Sequence, residues 1–122
     1  MTWLEATHKL IIRETGETFV SRCYRALTSW ERMRGLLGCK GLEPGEGLLI
    51  EHCSSIHMFF MRFAIDVVYI DAKWQVVKKV NHLVPWRLSG CLRARHTLEL
   101  PADALKRAEL PLGCHLDLRE AG

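Results

Sequence analysis

The sequence predicts an α+β domain built mainly on an antiparallel β-sheet, curled or closed into a small barrel, with two short helices. Three observations carry this reading. Strand-like runs outnumber helical ones, and adjacent runs are joined too briefly for parallel crossovers. The most continuous apolar run, Phe63 to Asp71 (F-A-I-D-V-V-Y-I-D), is rich in β-branched residues, as expected of a strand covered on both faces.

In chain order, Phe19 to Leu27 is the first strand, with Val20, Arg22, Tyr24 and Ala26 on one face and Phe19, Ser21, Cys23, Arg25 and Leu27 on the other. Thr28 and Glu31 have capping-box spacing, in which each side chain bonds the other's backbone N–H, so a helix is expected to start at Ser29 and end at Gly38. Trp30, Met33 and Leu37 form the stripe that packs it on the sheet. Gly35 inside that helix costs about 1 kcal/mol against alanine, which points to close packing against its backbone. Gly41 to Gly47 is a turn-rich loop, after which Leu48-Leu49-Ile50 opens a strand. Phe63 to Asp71 is expected in the middle of the sheet, Asp71-Ala72-Lys73 makes a turn, and Trp74 to Val80 returns as the hairpin partner. Ala94 to Leu100 is another strand, and Pro101 is placed to start a short helix over Ala102 to Ala108. Pro111 and Gly113 then turn the chain into a last strand, His115 to Leu118.

With 122 residues, 48% hydrophobic and 25% charged, the chain is expected to form one globular domain over residues 1–122 with loosely held ends, needing neither disulfide nor metal to fold. Seventeen Lys and Arg against fourteen Asp and Glu give +3, too small a bias to require a polyanionic partner. The N-terminus lacks the basic start and apolar core of a secretory signal, so a cytoplasmic location is expected. Glu51, His52, His57, Arg62 and Asp66 interrupt the most apolar stretch, leaving no window to span a bilayer, and no membrane partner is expected. The five cysteines are odd in number, irregularly spaced and without a Cys-x-x-Cys pair, which predicts thiols that fill the core rather than disulfides. No cofactor is indicated.

The run Ser55 to Asp71 (S-I-H-M-F-F-M-R-F-A-I-D-V-V-Y-I-D) resembles the signature of the domain-of-unknown-function 192 family, also called uncharacterised protein family 0127. Glu31-Arg32-x-x-Gly35-Leu36-Leu37, Gly47-Leu48-Leu49-Ile50 and Leu98-Glu99-Leu100-Pro101-Ala102 resemble further segments of that family in the same order, so the likeness covers roughly residues 18–118. It implies a compact β-rich fold with two short helices and brings no established activity. Ala64 stands where proline is usual, Met58 where threonine is common and Cys114 where an aspartate often follows the glycine, which removes a hydroxyl and a carboxylate that a shared function could use.

Asp66 is the informative residue, because a carboxylate inside an apolar strand is costly to bury unless donors or a cation meet it. Arg62, His57, Ser55, Arg32 and free N–H groups at a bulge are the candidates; on one extended strand Arg62 lies about 13 Å away. The reading favoured by chemistry is a structural Asp that bonds backbone amides or Arg32. The functional alternative is a shallow polar pocket floored by Asp66 and walled by Ser55, His57 and Arg62. A small ligand or a protein partner would bind there, making the chain a non-catalytic binding or accessory module.

His57 with Cys53, or with a water, offers an enzymatic alternative, a hydrolase or thiol-dependent catalyst. Four residues of extended strand separate the two by about 13 Å, so only a tight turn at Ser54-Ser55 would join them. Zinc on His52 and Cys53 would need Cys91 or His96 from far along the chain, and no metal is expected. Between Ala72 and Leu98 lie Lys73, Lys78, Lys79, Arg87, Arg93 and Arg95 with Trp74 and Trp86 and no acid, a pattern a single-stranded nucleic acid could use. The bland reading, a solvated hairpin face with packed tryptophans, is preferred, and nucleic acid is not the expected partner.

Overall fold

The computed structural model describes residues 5–28, 31–32, 35–37, 39 and 41–121. The strands are β1 His8–Ile12, β2 Thr18–Ala26, β3 Glu46–Glu51, β4 Ser55–His57, β5 Ile65–Ile70, β6 Val76–Leu83, β7 Leu88–Gly90, β8 His96–Pro101 and β9 Leu116–Glu120, with helix α1, Ala104–Arg107, between the last two. Seven strands form one sheet in the order β6-β5-β8-β3-β2-β1-β9, and β4 pairs with β7 in a separate ribbon. The sheet curls until its edges meet at an antiparallel bridge between Gln75 and His115. There the Val76 N–H donates to the Cys114 carbonyl and the Leu116 N–H to the Trp74 carbonyl, both at 2.9 Å.

Three expectations change. The fold is mostly β, and the α+β reading with two short helices is too helical: among the described residues α1 has four residues, and Glu31 and Arg32 are the other helical positions. The capping box does form, since Glu31 Oε1 accepts from the Thr28 N–H at 3.0 Å and Thr28 Oγ1 from the Glu31 N–H at 3.1 Å. Glu31 and Arg32 are helical, but Gly35 takes φ 51 and residues 35–37 form a turn, so the helix stops short of Gly38. Glycine serves there by entering the left-handed region, not by admitting a neighbour inside a helix. Ser29, Trp30, Met33 and Gly38 lie outside the described residues, while Leu37 is half-buried against the core. Replacing Thr28 by Ala should therefore cost about 1 kcal/mol, read as a lower urea midpoint at unchanged slope.

Second, β2 and β3 pair in parallel. The segment from Leu27 to Gly45 is long enough to carry the chain back across the sheet, so brevity of connection does not hold at this junction. Third, β1 was not expected. It lies between β2 and β9 and pairs with both, which fixes an N-terminal segment read from sequence as loosely held. The hairpin of β5 and β6 is as expected, its turn held by Asp71 Oδ1, which accepts the N–H groups of Lys73 and Gln75 at 2.9 Å each.

Both faces of the sheet are covered, and strand alternation decides which residue faces which core. Leu49, Val68, Ile70, Leu98 and Leu100 pack in one cluster with Leu10 and Leu116; Leu48, Ile50, Ile65, Val67 and Tyr69 pack in the other with Leu36, Met58 and Met61. Asp66, between Ile65 and Val67, therefore points to the first side. Glu99, between Leu98 and Leu100, points to the second.

Candidate functional site

Three carboxyl residues are buried among the described residues: Glu46, Asp66 and Glu99. Their partners differ sharply. Glu46 accepts from the Tyr24 hydroxyl at 2.6 Å and from the Glu43 N–H at 2.7 Å. Asp66 is more fully met. Its Oδ1 accepts from the His82 N–H at 2.8 Å and the Asp103 N–H at 3.0 Å, its Oδ2 accepts from the Leu105 N–H at 2.9 Å, and the Asn81 amide reaches both oxygens at 3.1 and 3.0 Å.

The sheet geometry supplies those donors. Ile65 pairs with Leu83 but Val67 with Val80, so Asn81 and His82 together oppose Asp66 in a bulge. His82 and Asp103 sit at φ 58 and 67, in the left-handed region, and the carboxylate bonds the N–H of each. Leu105 is in the first turn of α1, whose N-cap Asp103 makes no side-chain cap bond, so Asp66 caps this helix from across the sheet. These are the bulge amides that the structural reading invokes; Arg62, His57, Ser55 and Arg32 are not among its partners.

Glu99 has no hydrogen-bond or ion-pair partner among the described residues. It is 5% exposed, and burial pushes its carboxyl up to about 8, so at neutral pH it is mostly protonated. It lines a cavity of ≈ 230 Å³ together with Arg32, Gly35, Cys53, Ser55 and His57, between apolar walls that include Ile50 and Ile56. Of the residues expected at a site, Arg32, Ser55 and His57 thus come together, with Cys53 beside them. Asp66 lies behind the opposite face of the sheet, and Arg62 is exposed outside the cavity. Glu99 takes the floor position that the sequence reading gave to Asp66. The signal was present in Leu98-Glu99-Leu100: if the leucines face one core, alternation turns the glutamate to the other face of the sheet.

β4 carries Ser55 and His57 and is held in place by its ribbon partner. Gly90 faces Ser55 so closely that a Cβ there would lie 3.2 Å from the Ser55 Cβ and 3.3 Å from the Ser54 carbonyl. The ribbon is moored to the sheet by Tyr69, whose hydroxyl donates to Ser89 Oγ at 2.7 Å, and by Lys78, whose ammonium donates to the Gly90 carbonyl at 2.8 Å. Cys53 and His57 share the cavity wall without bonding each other: the thiol donates to the Ser55 carbonyl at 3.0 Å, and His57 Nδ1 accepts from the Phe59 N–H at 3.3 Å. Arg32 Nη1 donates to the Leu27 carbonyl at 2.7 Å.

No group of three or more His, Cys, Asp or Glu is placed to hold a metal among the described residues, and no helix among them is long and apolar enough to cross a membrane. The basic 73–95 segment is dispersed. Trp74 packs on His96 with ring centres 4.6 Å apart, Lys79 donates to the Leu110 carbonyl at 2.8 Å, and Arg95 donates to His52 Nδ1 at 3.0 Å. Trp86 is exposed and contacts Phe59 and Phe60.

Fold and cavity together define a small, mostly β protein with a curled sheet and a polar-floored cavity on one face. The chain belongs to the DUF192 family, described as Uncharacterized ACR, which it matches over residues 10–118. It is 29% identical over 119 residues to a UPF0127 protein of Thermococcus sibiricus, an alignment covering 88% of this chain and 73% of the relative. A UPF0127 protein of Pyrococcus horikoshii is 45% identical over 49 residues, 39% of this chain and 42% of its own. Two crystal structures share the fold. A proposed transcription regulator of Sinorhizobium meliloti superposes with a TM-score of 0.80 at 19% identity, covering 97% of this chain and 96% of its own. A protein of unknown function from Novosphingobium aromaticivorans gives 0.76 at 17% identity, covering 91% and 83%. At such identities the likeness concerns the fold alone.

Proposed function

We propose that this chain is a non-catalytic binding module for a small molecule, held in the cavity lined by Arg32, Gly35, Leu36 and Leu37 on one side and by β4 on the other. One observation carries the reading: Glu99, a buried carboxyl with no hydrogen-bond or ion-pair partner among the described residues, lines a cavity large enough for a small ligand. Buried polar groups in folded proteins are nearly always satisfied, and exceptions concentrate at sites that receive something. The apolar walls supply area for an organic stem, and the Ser55, His57 and Arg32 side chains supply polar contacts. What supports binding over catalysis is that the Cys53 thiol and the His57 ring are engaged with backbone groups rather than with each other.

A thermal-shift screen of small polar organic compounds tests it. A ligand present at a hundred times its Kd should stabilise the parent by about 2.7 kcal/mol, and an Ile56→Trp variant, which fills the cavity, should lose that shift. Compounds that shift the variant as much as the parent bind elsewhere and count against the reading.

A further inference from the structure

Resting on that reading of the cavity, we infer that its ligand carries a cationic nitrogen, an ammonium or guanidinium group on a short apolar stem, whose N–H groups are received by Glu99 as a carboxylate. The argument begins with the contrast among the buried acids. Asp66 and Glu46 are each met by donors from the protein, whereas Glu99 faces a space bounded by Gly35 and Ile50, which bring no side-chain donor to it. A Cβ on Gly35 would lie 3.5 Å from Glu99 Oε1 and 3.9 Å from Ile50 Cδ1, ordinary contact distances that put Gly35 directly beside the carboxyl, and the left-handed φ of 51 disfavours a side chain there. The acid is thus buried beside Gly35 and Ile50 at the wall of the cavity.

Three other polar residues of the cavity already bond backbone groups of the protein. Arg32 bonds the Leu27 carbonyl, Cys53 the Ser55 carbonyl, and His57 the Phe59 N–H. An isolated carboxylate buried there is costly, so the empty site keeps its proton. A ligand cation removes that cost by forming a charge-assisted pair, which is strong where water is excluded. The exchange balances: the Glu99 carboxylic acid gives up one proton to solvent, and the incoming ammonium or guanidinium remains protonated and donates its N–H groups to the carboxylate left behind. A carboxylate ligand would instead require Glu99 to stay protonated and offer a single O–H. The walls of Leu36, Leu37, Ile50, Ile56 and Met61 favour an alkyl or aryl stem over a sugar or a phosphate.

The test is isothermal titration calorimetry of the full chain with n-butylamine, benzylamine, benzamidine and butylguanidine, beside butyrate, benzoate, butanol and benzyl alcohol. Each titration is run in phosphate and in Tris, whose ionisation enthalpies differ. The expected result is binding of one or more of the cations, release of close to one proton per ligand at pH 7, and an affinity that rises nearly tenfold per pH unit from about pH 5 to 7. Glu99→Gln, the neutral isostere of the protonated acid, should fold, weaken the cations by more than tenfold and abolish the proton release. Binding of the carboxylates or alcohols without the cations would leave the cavity reading standing and overturn this inference. Cation binding that releases no proton, or that survives Glu99→Gln, would overturn it too. Binding by no compound of any class counts against the cavity reading and the inference together.

Discussion

Raising the pH from 5 to 8 should destabilise the protein steeply, and Glu99→Gln should remove most of that slope. The unfolded chain loses the Glu99 proton near the ordinary value of 4.5, while the folded chain keeps it to about 8 because burial penalises the charge. Between those two values the folded state binds more protons than the unfolded state, so stability falls as pH rises and levels off once both states are ionised. The contribution is fully present below 4.5 and lost through about 8. At about 1.36 kcal/mol per pH unit of unequal protonation, the loss is bounded at roughly 5 kcal/mol. For a domain of this size that corresponds to a fall in Tm on the order of 15 °C. The Gln variant, neutral throughout, should melt close to the parent at pH 5 and well above it at pH 8. Parallel Tm-against-pH curves for the two proteins would show that Glu99 ionises as an ordinary carboxyl and is not penalised by burial.

This slope follows from the same group that recommends the cavity. It also marks the limit of what was legible in the sequence. Local signals read true: the Thr28–Glu31 capping box, the hairpin turning at Asp71 and the parallel-sheet-like burial of Ile65–Ile70 each depend on neighbours within a few residues. The N-terminal strand escaped because His8–Ile12 gains its order from β2 and β9, the latter a hundred residues away. The parallel pairing of β2 with β3 departs from the antiparallel expectation because the Leu27–Gly45 connection is long enough for a crossover.

The candidate site was half legible for the same physical reason. A carboxylate among β-branched residues announces that it needs donors, and Asp66 does. That those donors are Asn81, His82, Asp103 and Leu105 depends on a bulge and a helix start that no local pattern places beside it. By alternation along Leu98-Glu99-Leu100, Glu99 lies on the face opposite the two leucines. It is buried because β8 lies inside the sheet, between β5 and β3, with a core on each face. Alternation gives the face, but only the covering segments decide whether that face is wet.

Asp66→Asn should be among the most destabilising single changes available, at about 3–5 kcal/mol. The amide offers one acceptor where the carboxylate offers two, and its NH₂ group must face either the N–H groups of His82 and Asp103 or that of Leu105. Whichever way it turns, at least one backbone donor in this tie is left unmatched, at about 1–3 kcal/mol for each such group where it is buried. In one orientation His82 and Asp103, both in left-handed conformation, lose the acceptor that holds them; in the other α1 loses its cap. Urea denaturation should show a much lower midpoint at similar slope, and hydrogen exchange should quicken first at the amides of His82, Asp103 and Leu105. Since Asp66 and Glu99 point to opposite faces of the sheet, the folded fraction of Asp66→Asn should keep the parent's dependence of stability on Glu99 protonation. A variant that instead retained full stability would mean that the five short contacts around this carboxylate contribute little, and that the register of β5 against β6 is set by apolar packing alone.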